Sequence, residues 1–397
     1  MPDSNIIYAD YQATTPVDPR VLAKIMPYWA QSFGNAHSND HIIGWRANEA
    51  VLKAAKSVAD LIGATPNEII FTSGATEANN FALLGLARRS SPERRRILVS
   101  AIEHKCVLAA ARALSERLGF IVETIPVDGD GLICVNELES RLDPTVLVVS
   151  AMAVNNEVGT IQDIPSIAAL VQPHGALLHC DAAQAPCAMD VSDLASHADL
   201  ISLSGHKIYG PQGIGALYLR QALHDQVEPL IYGGGQQEGL RSGTVPMPLC
   251  VGLGAAAELV ADPEACNERR RISQLRDAFL SRLQDYDALI GVNGVLGDRR
   301  HPGNVNIRFD NFDAQDILGS LQPRLAASTG AACTSGIPEP SHVLRAMGLT
   351  EEQSNSSIRF SFGRFSTEND AHDAATLVQE SLARLAAAVN VSDRSVA

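Results

Sequence analysis

The sequence predicts an α/β protein, a parallel sheet wrapped by helices with a second and smaller unit behind it, on three observations. Apolar strand-like runs alternate with amphipathic helical stretches, the pattern of repeated strand–helix units. Each such run ends in a cluster of polar residues, as where strand ends line a ligand crevice. The 397 residues, 46% hydrophobic and only 5% aromatic, are enough for two cores.

In chain order, residues 44–62 are alanine-rich with apolar positions every three or four, which reads as an amphipathic helix. Glu68 to Thr72 reads as a strand that ends at Ser73-Gly74-Ala75-Thr76-Glu77, where Ser73 or Thr76 is placed to cap the next helix. The strand signal recurs at Arg96–Ala101, Thr145–Ala151, Ala176–Cys180 and Ala198–Leu203. Charged helical sequence from about 263 to 288 reads as a connector into the smaller unit. Fraying is expected from Asn390 onward.

The strand ends carry chemistry. Gly74-Ala75-Thr76 offers backbone N–H groups, a hydroxyl and the positive end of a helix, which suits a phosphate. His104, in Glu103-His104-Lys105-Cys106, suits stacking on an aromatic ring or proton shuttling near neutral pH. Asn155-Asn156-Glu157-Val158-Gly159 supplies amides for a ring hydroxyl or a carboxylate. Asp181 and Gln184 place a carboxylate and an amide about one turn apart if a helix starts there. Lys207 sits where the last run spills into Ser204-Gly205-His206-Lys207-Ile208-Tyr209-Gly210. A lone lysine after a strand is usually a solvated charge. Lys207 has Ser and His before it, glycines beside it and Asp181 one strand earlier. That company fits a Schiff-base lysine holding pyridoxal phosphate, with Asp181 keeping the ring nitrogen protonated.

Further on, Gly233-Gly234-Gly235 leads to Arg241-Ser242-Gly243-Thr244, whose Arg and Thr suit a phosphate reached within the chain or from a neighbouring subunit. Cys333, among Ser328-Thr329-Gly330-Ala331-Ala332 and Thr334-Ser335-Gly336, has the small-residue setting of an exposed nucleophile. Arg359, inside Ser356–Ser361, reads either as an ion-paired residue or as a guanidinium that grips a substrate carboxylate.

The net charge of −14 argues against direct nucleic-acid binding, which needs a basic face. The longest low-polarity run, Leu249 to Ala261, is too short to span a bilayer, and no basic-then-apolar leader is evident, so a cytoplasmic location is expected. Seven scattered cysteines without a Cys-x-x-Cys pair suggest reduced, buried thiols rather than disulfides or a metal site.

Matching pieces run almost end to end: Tyr8-Ala9-Asp10-Tyr11-Gln12-Ala13-Thr14-Thr15-Pro16, Phe33-Gly34-Asn35, Thr72 to Glu77, Glu103-His104-Lys105, Val154 to Gly159, Asp181 to Gln184, Ser204 to Gly215, Arg241 to Thr244, Ser356 to Phe365, and Cys333 followed by Glu339-Pro340-Ser341-His342-Val343-Leu344-Arg345. On these the chain resembles pyridoxal-phosphate cysteine desulfurases of the class V aminotransferase family, in the iron–sulfur-assembly group with the long cysteine loop. The resemblance implies a fold-type I enzyme with a mostly parallel mixed sheet. Its large domain would span 15–262, and 1–14 with 263–397 would form a small α+β domain carrying the cysteine loop.

It further implies that Lys207 carries the cofactor and moves protons while His104 stacks on the ring and assists. Asp181 would bind the ring nitrogen; Gln184 and Asn156 would contact ring oxygen or substrate. Ala75, Thr76, Ser204 and His206 would hold the phosphate, with Thr244 donated across a homodimer. Arg359 would bind the L-cysteine carboxylate, and Cys333 would take the sulfur as a persulfide for an acceptor protein in iron–sulfur assembly, tRNA thiolation or DNA phosphorothioation. Two departures touch partner choice and the dimer edge: Glu238 stands where relatives carry a basic residue, and Ala36 where proline is common. A selenocysteine lyase, another class V enzyme such as a transaminase, and a non-catalytic sulfur-relay scaffold are the competing readings. Cys333 argues against the transaminase, and intact Lys207 and Asp181 argue against the scaffold.

Overall fold

The structure is a computed structural model that describes residues 6–284, 291–330 and 340–396. The chain opens with β1 (Ile7–Tyr8), α1 (Pro19–Ala30) and α2 (Ile42–Ile62), then alternates β2 (Ile69–Thr72), α3 (Ala75–Arg89), β3 (Arg96–Ser100), α4 (Lys105–Leu118) and β4 (Ile121–Ile125). It continues with α5 (Val135–Arg141), β5 (Val146–Ser150), α6 (Ile164–Val171), β6 (Leu177–Asp181), α7 (Leu194–His197), β7 (Leu200–Ser204), β8 (Gly215–Leu219) and α8 (Met247–Ala261).

Among the described residues the largest sheet has seven strands in the order β2-β8-β7-β6-β5-β3-β4. Neighbours from β7 to β4 pair in parallel, while β8 pairs antiparallel with both β7 and β2. The two reversals cancel, so β2 runs the same way as β3, β5, β6 and β7. The carboxyl ends of those five strands therefore share one edge, where the polar clusters lie. This is the predicted mostly parallel mixed sheet.

Alternate residues face opposite layers. Ile69 and Phe71 of β2, Leu98 of β3, and Ile201 and Leu203 of β7 pack with α2 and α8 residues such as Val58 and Leu253. Ile70, Ile97, Val99 and Leu200 pack on the other face with Phe81, Leu86 and Leu114 of α3 and α4. Both faces are covered, so the strands read as continuous apolar runs. Each fully buried Leu or Phe contributes roughly 1.5–3 kcal/mol.

The remaining elements are α9 (Ala265–Gln284), β9 (Gly291–Asn293), β10 (Asn304–Arg308), α10 (Ala314–Leu321), β11 (Leu325–Ala326), α11 (His342–Ala346), α12 (Glu351–Asn355), β12 (Ser357–Ser361) and α13 (Glu368–Val396). Antiparallel β12-β10-β9 forms a second sheet. Its core centres on Phe279, whose ring lies 4.9 Å from Phe360 and 5.3 Å from Phe362. The amino terminus joins this unit: β1 pairs in parallel with β11, and Asp10 bridges Ser361.

Three local expectations are corrected. Gly74, not Ser73 or Thr76, is the N-cap of α3, and no side chain caps it; Ser73 instead donates its backbone N–H to Glu77 Oε2 at 2.8 Å. Asp181 to Gln184 is a strand end and a turn rather than a helix, because the Asp181 carboxylate accepts the Ala183 N–H at 3.0 Å and closes a local turn. Of the six described cysteines, none in a disulfide, only Cys180 and Cys250 are buried and Cys266 is exposed.

Candidate active site

The shared strand edge opens on a cavity of about 660 Å³, within the usual range for small-ligand pockets. Ala75, Thr76, His104, Asn156, Asp181, Gln184, Ser204, His206, Lys207 and Arg359 all line it. Thr244 does not line the cavity of the single chain. Cys333 lies outside the described residues.

Glycines bring the two turns together. A Cβ on Gly215 would stand 2.7 Å from Gly74 Cα, so β8 can start only as a glycine against the turn that opens α3. The uncapped N-terminus of α3 thus faces the Ser204–Lys207 turn, with its N–H groups and positive dipole end available to an anion. His206 Nδ1 lies 3.0 Å from Thr14 Oγ1. Burial, then the neighbouring Lys207 charge, push its pKa down to about 4, so at neutral pH it is an uncharged hydrogen-bonding group.

Lys207 is held from both sides of its turn. Its Nζ donates to the carbonyls of Gln12 and, at 2.8 Å, Ala13. Two residues on, Tyr209 adopts φ +65°, a strained conformation for a non-glycine residue that its surroundings must enforce. Thr15 Oγ1 accepts its N–H at 2.9 Å, and the Arg364 guanidinium stacks 4.2 Å over its ring. Arg364 in turn pairs with Asp18 and Glu268, both at 2.8 Å.

Asp181 is buried at the end of β6, where Asn79 Nδ2 donates to its Oδ2 at 2.7 Å. Beside it, the fully buried Glu103 accepts the Met152 N–H at 2.6 Å. Desolvation, reinforced by the Asp181 charge, pushes the Glu103 carboxyl up to about 8. Glu103 therefore holds its proton at neutral pH, beside the Asp181 carboxyl that lines the cavity.

His104 is the N-cap of α4. Its Nδ1 accepts the Cys106 N–H at 3.2 Å and lies 3.0 Å from Cys106 Sγ. Burial lowers its pKa against the opposing pull of Asp181. The cap bond assigns the lone pair to Nδ1 and the proton to Nε2. Cys106 is a half-buried thiol whose pKa desolvation raises to about 11, so it stays protonated.

Arg359 is 3% exposed. It donates through Nη2 to Asp10 Oδ1 at 2.5 Å and Ser328 Oγ at 2.8 Å, and through Nη1 to the Asn156 carbonyl at 2.6 Å. The arginine is ion-paired, as one of the two sequence readings has it, and it lines the cavity with a buried Nε that has no partner among the described residues.

Sequence reasoning gave no role to Asp10, Gln12, Asn79 or Ser328, all cavity-lining. Asn79 carried a signal, an amide one turn beyond Thr76 on the side of α3 that faces the sheet. Asp10 and Gln12 fall in the first matching motif, but nothing local gives either a role, since their partners lie hundreds of positions away.

The donor set fits pyridoxal phosphate. Asp181 suits a protonated pyridine nitrogen, the α3 N-terminus with Thr76, Ser204 and His206 suits a phosphate, and the Lys207 side chain lines the same cavity. Gln12 Nε2, Asn79 Oδ1 and Arg359 Nε are buried at this cavity without partners among the described residues, as expected of walls built for a polar ligand.

The class-V aminotransferase family model matches residues 7–373. Among curated relatives, cysteine desulfurase IscS of Rickettsia akari is 44% identical over 379 residues, 96% of this chain and 92% of that protein, and the IscS of Rickettsia bellii matches to the same extent. Among solved structures, a NifS-like protein aligns with a TM-score of 0.88 at 34% identity, over 95% of this chain and 99% of that one. SspA in complex with cysteine aligns at 0.79 and 37%, over 91% and 99%. The fold, the cavity and these similarities agree: the chain belongs to the class-V aminotransferase family, among its cysteine desulfurases.

Proposed function

We propose that this chain binds pyridoxal phosphate on Lys207 and converts L-cysteine to L-alanine, passing the sulfur to Cys333 and then to an acceptor protein. The observation that carries the reading is the convergence of Lys207, Asp181, His104 and Arg359 on one cavity. The cofactor, when bound, supplies an electron sink for charge developing at the substrate carbons.

The chain's own groups do the rest. Arg359, already aimed by Asp10, Ser328 and the Asn156 carbonyl, offers its two remaining N–H groups, on Nε and Nη1, to the substrate carboxylate. The Asp181 carboxylate, oriented by Asn79, holds the ring-nitrogen proton. Lys207 Nζ moves protons at the substrate carbons, and the neutral His104 presents Nε2–H to the substrate face. At Cys333 the substrate C–S bond breaks and an S–S bond forms; the electron pair left on the β-carbon takes up a proton. Substrate and thiol thereby become alanine and a persulfide.

A homodimer is part of this reading. Leu22, Met26, Trp29 and Phe33 form a stripe at helical spacing along and just beyond α1, each about half exposed or more. In the same reading Thr244, which does not line the cavity of the single chain, is donated by a second copy. Among the described residues no helix is long and apolar enough to cross a membrane, which supports a cytoplasmic site of action. Borohydride reduction of the yellow protein tests the cofactor assignment. The label is expected on the Lys207 peptide and absent from Lys207→Ala, and a label elsewhere defeats the assignment.

A further inference from the structure

Glu157 has no part in the chemistry above, yet it is 2% exposed and its neighbours are unusual. Gly330 and Ser341 bracket in sequence the segment that carries Cys333, and both meet this one side chain. Ser341 Oγ–H donates to Glu157 Oε2 at 2.5 Å while accepting the Leu344 N–H at 3.1 Å, so the hydroxyl that caps α11 is also held by the carboxylate. Gly330, at φ +83°, lies so near that a Cβ there would stand 3.1 Å from Glu157 Cγ.

Glu157 is itself fixed to the substrate side of the site. Its N–H donates to Asn155 Oδ1 at 2.8 Å, and its carbonyl accepts from Asn304 and Asn306 of β10 at 3.1 and 3.3 Å. The carbonyl of the preceding Asn156 accepts from Arg359. Next to Ser341, His342 Nε2 lies 2.9 Å from the carbonyl of Glu103, the residue before His104. One buried side chain thus links the two flanks of the segment to each other and to the backbone beside Arg359.

Resting on the functional reading above, we propose that Glu157 is a positioning residue for sulfur transfer: by binding Ser341 and packing on Gly330 it fixes the anchors from which Cys333 reaches the substrate. Burial raises its pKa against the pull of Ser341, and either protonation state keeps an oxygen that can accept from the Ser341 hydroxyl. The role therefore depends on an acceptor atom rather than on charge.

The test is single-turnover transfer of sulfur from L-cysteine to Cys333 in the cofactor-loaded protein, quenched and read by mass spectrometry, alongside cofactor absorbance and substrate affinity by spectral titration. Glu157→Ala and Ser341→Ala are each expected to slow transfer about tenfold or more, the scale of a misplaced reacting group. Cofactor absorbance should be unchanged and substrate affinity held within about twofold. Glu157→Gln, which keeps the acceptor, should restore most of the rate, and the double variant should be no slower than the slower single one.

Wild-type transfer in Glu157→Ala overturns the proposal, as does equal loss of cofactor or substrate binding. If Glu157→Ala fails to fold, wild-type transfer in Ser341→Ala overturns it. Absence of persulfide on Cys333 in the unsubstituted protein would instead overturn the functional reading.

Discussion

Glu103→Gln is expected to stabilise the protein at alkaline pH and to flatten its stability profile. Glu103 is fully buried beside Asp181, and its carboxyl is pushed from the ordinary 4.5 up to about 8. Between those values the folded chain binds a proton that the unfolded chain releases, so stability falls as pH rises through that window. At about 1.4 kcal/mol per pH unit, the wild type loses about 4 kcal/mol relative to the glutamine variant between about pH 5 and about pH 8.5. Glutamine keeps the oxygen that accepts the Met152 N–H and has no proton to lose. With an unfolding entropy of ~2.1 cal/mol/K per residue, the variant's Tm should gain about 5 °C on the wild type across this range. Thermal unfolding of the wild type and of Glu103→Gln, both cofactor-loaded and followed across this pH range, reads the difference directly. Parallel pH profiles for the two proteins would refute the neutral-acid assignment.

Arg359→Lys should raise KM for L-cysteine by at least about tenfold in steady-state assays, because an ammonium cannot satisfy Asp10, Ser328 and a substrate carboxylate with one planar fork. An unchanged KM would remove Arg359 from the substrate site. Gly363→Ala should destabilise the fold by roughly 1–3 kcal/mol in denaturant unfolding, since the new Cβ would stand 2.1 Å from Tyr11 Cδ1. Unaltered unfolding would show that Tyr11 moves aside freely.

Much of the site was legible because its groups are local in sequence. Each strand ends in its own functional cluster, so the α/β pattern pointed to Asp181 and Lys207 without knowledge of the strand order. Legibility stopped where geometry is made across the chain. Arg359 and Asp10 pair over 349 positions, and no local pattern announces that. The N-cap of α3 was misplaced because propensity favours Ser or Thr, whereas this turn leaves its N–H groups uncapped and needs Gly74 at φ +153°. The Asp181–Gln184 turn was misjudged for a related reason. Spacing suggested a helix, but the carboxylate bonds its own backbone while Gln184 Nε2 reaches the Gln12 carbonyl at 2.9 Å. Glu103 and Glu157 were visible as letters in motifs, and only their burial gave them meaning.

The most direct test is the mass of the Cys333 peptide after one turnover with L-cysteine under non-reducing conditions. A gain of one sulfur atom on that peptide, with an equal amount of alanine released and neither seen in Cys333→Ser, is the predicted result. Alanine formed at the wild-type rate by Cys333→Ser, or sulfur found on another cysteine, would contradict it.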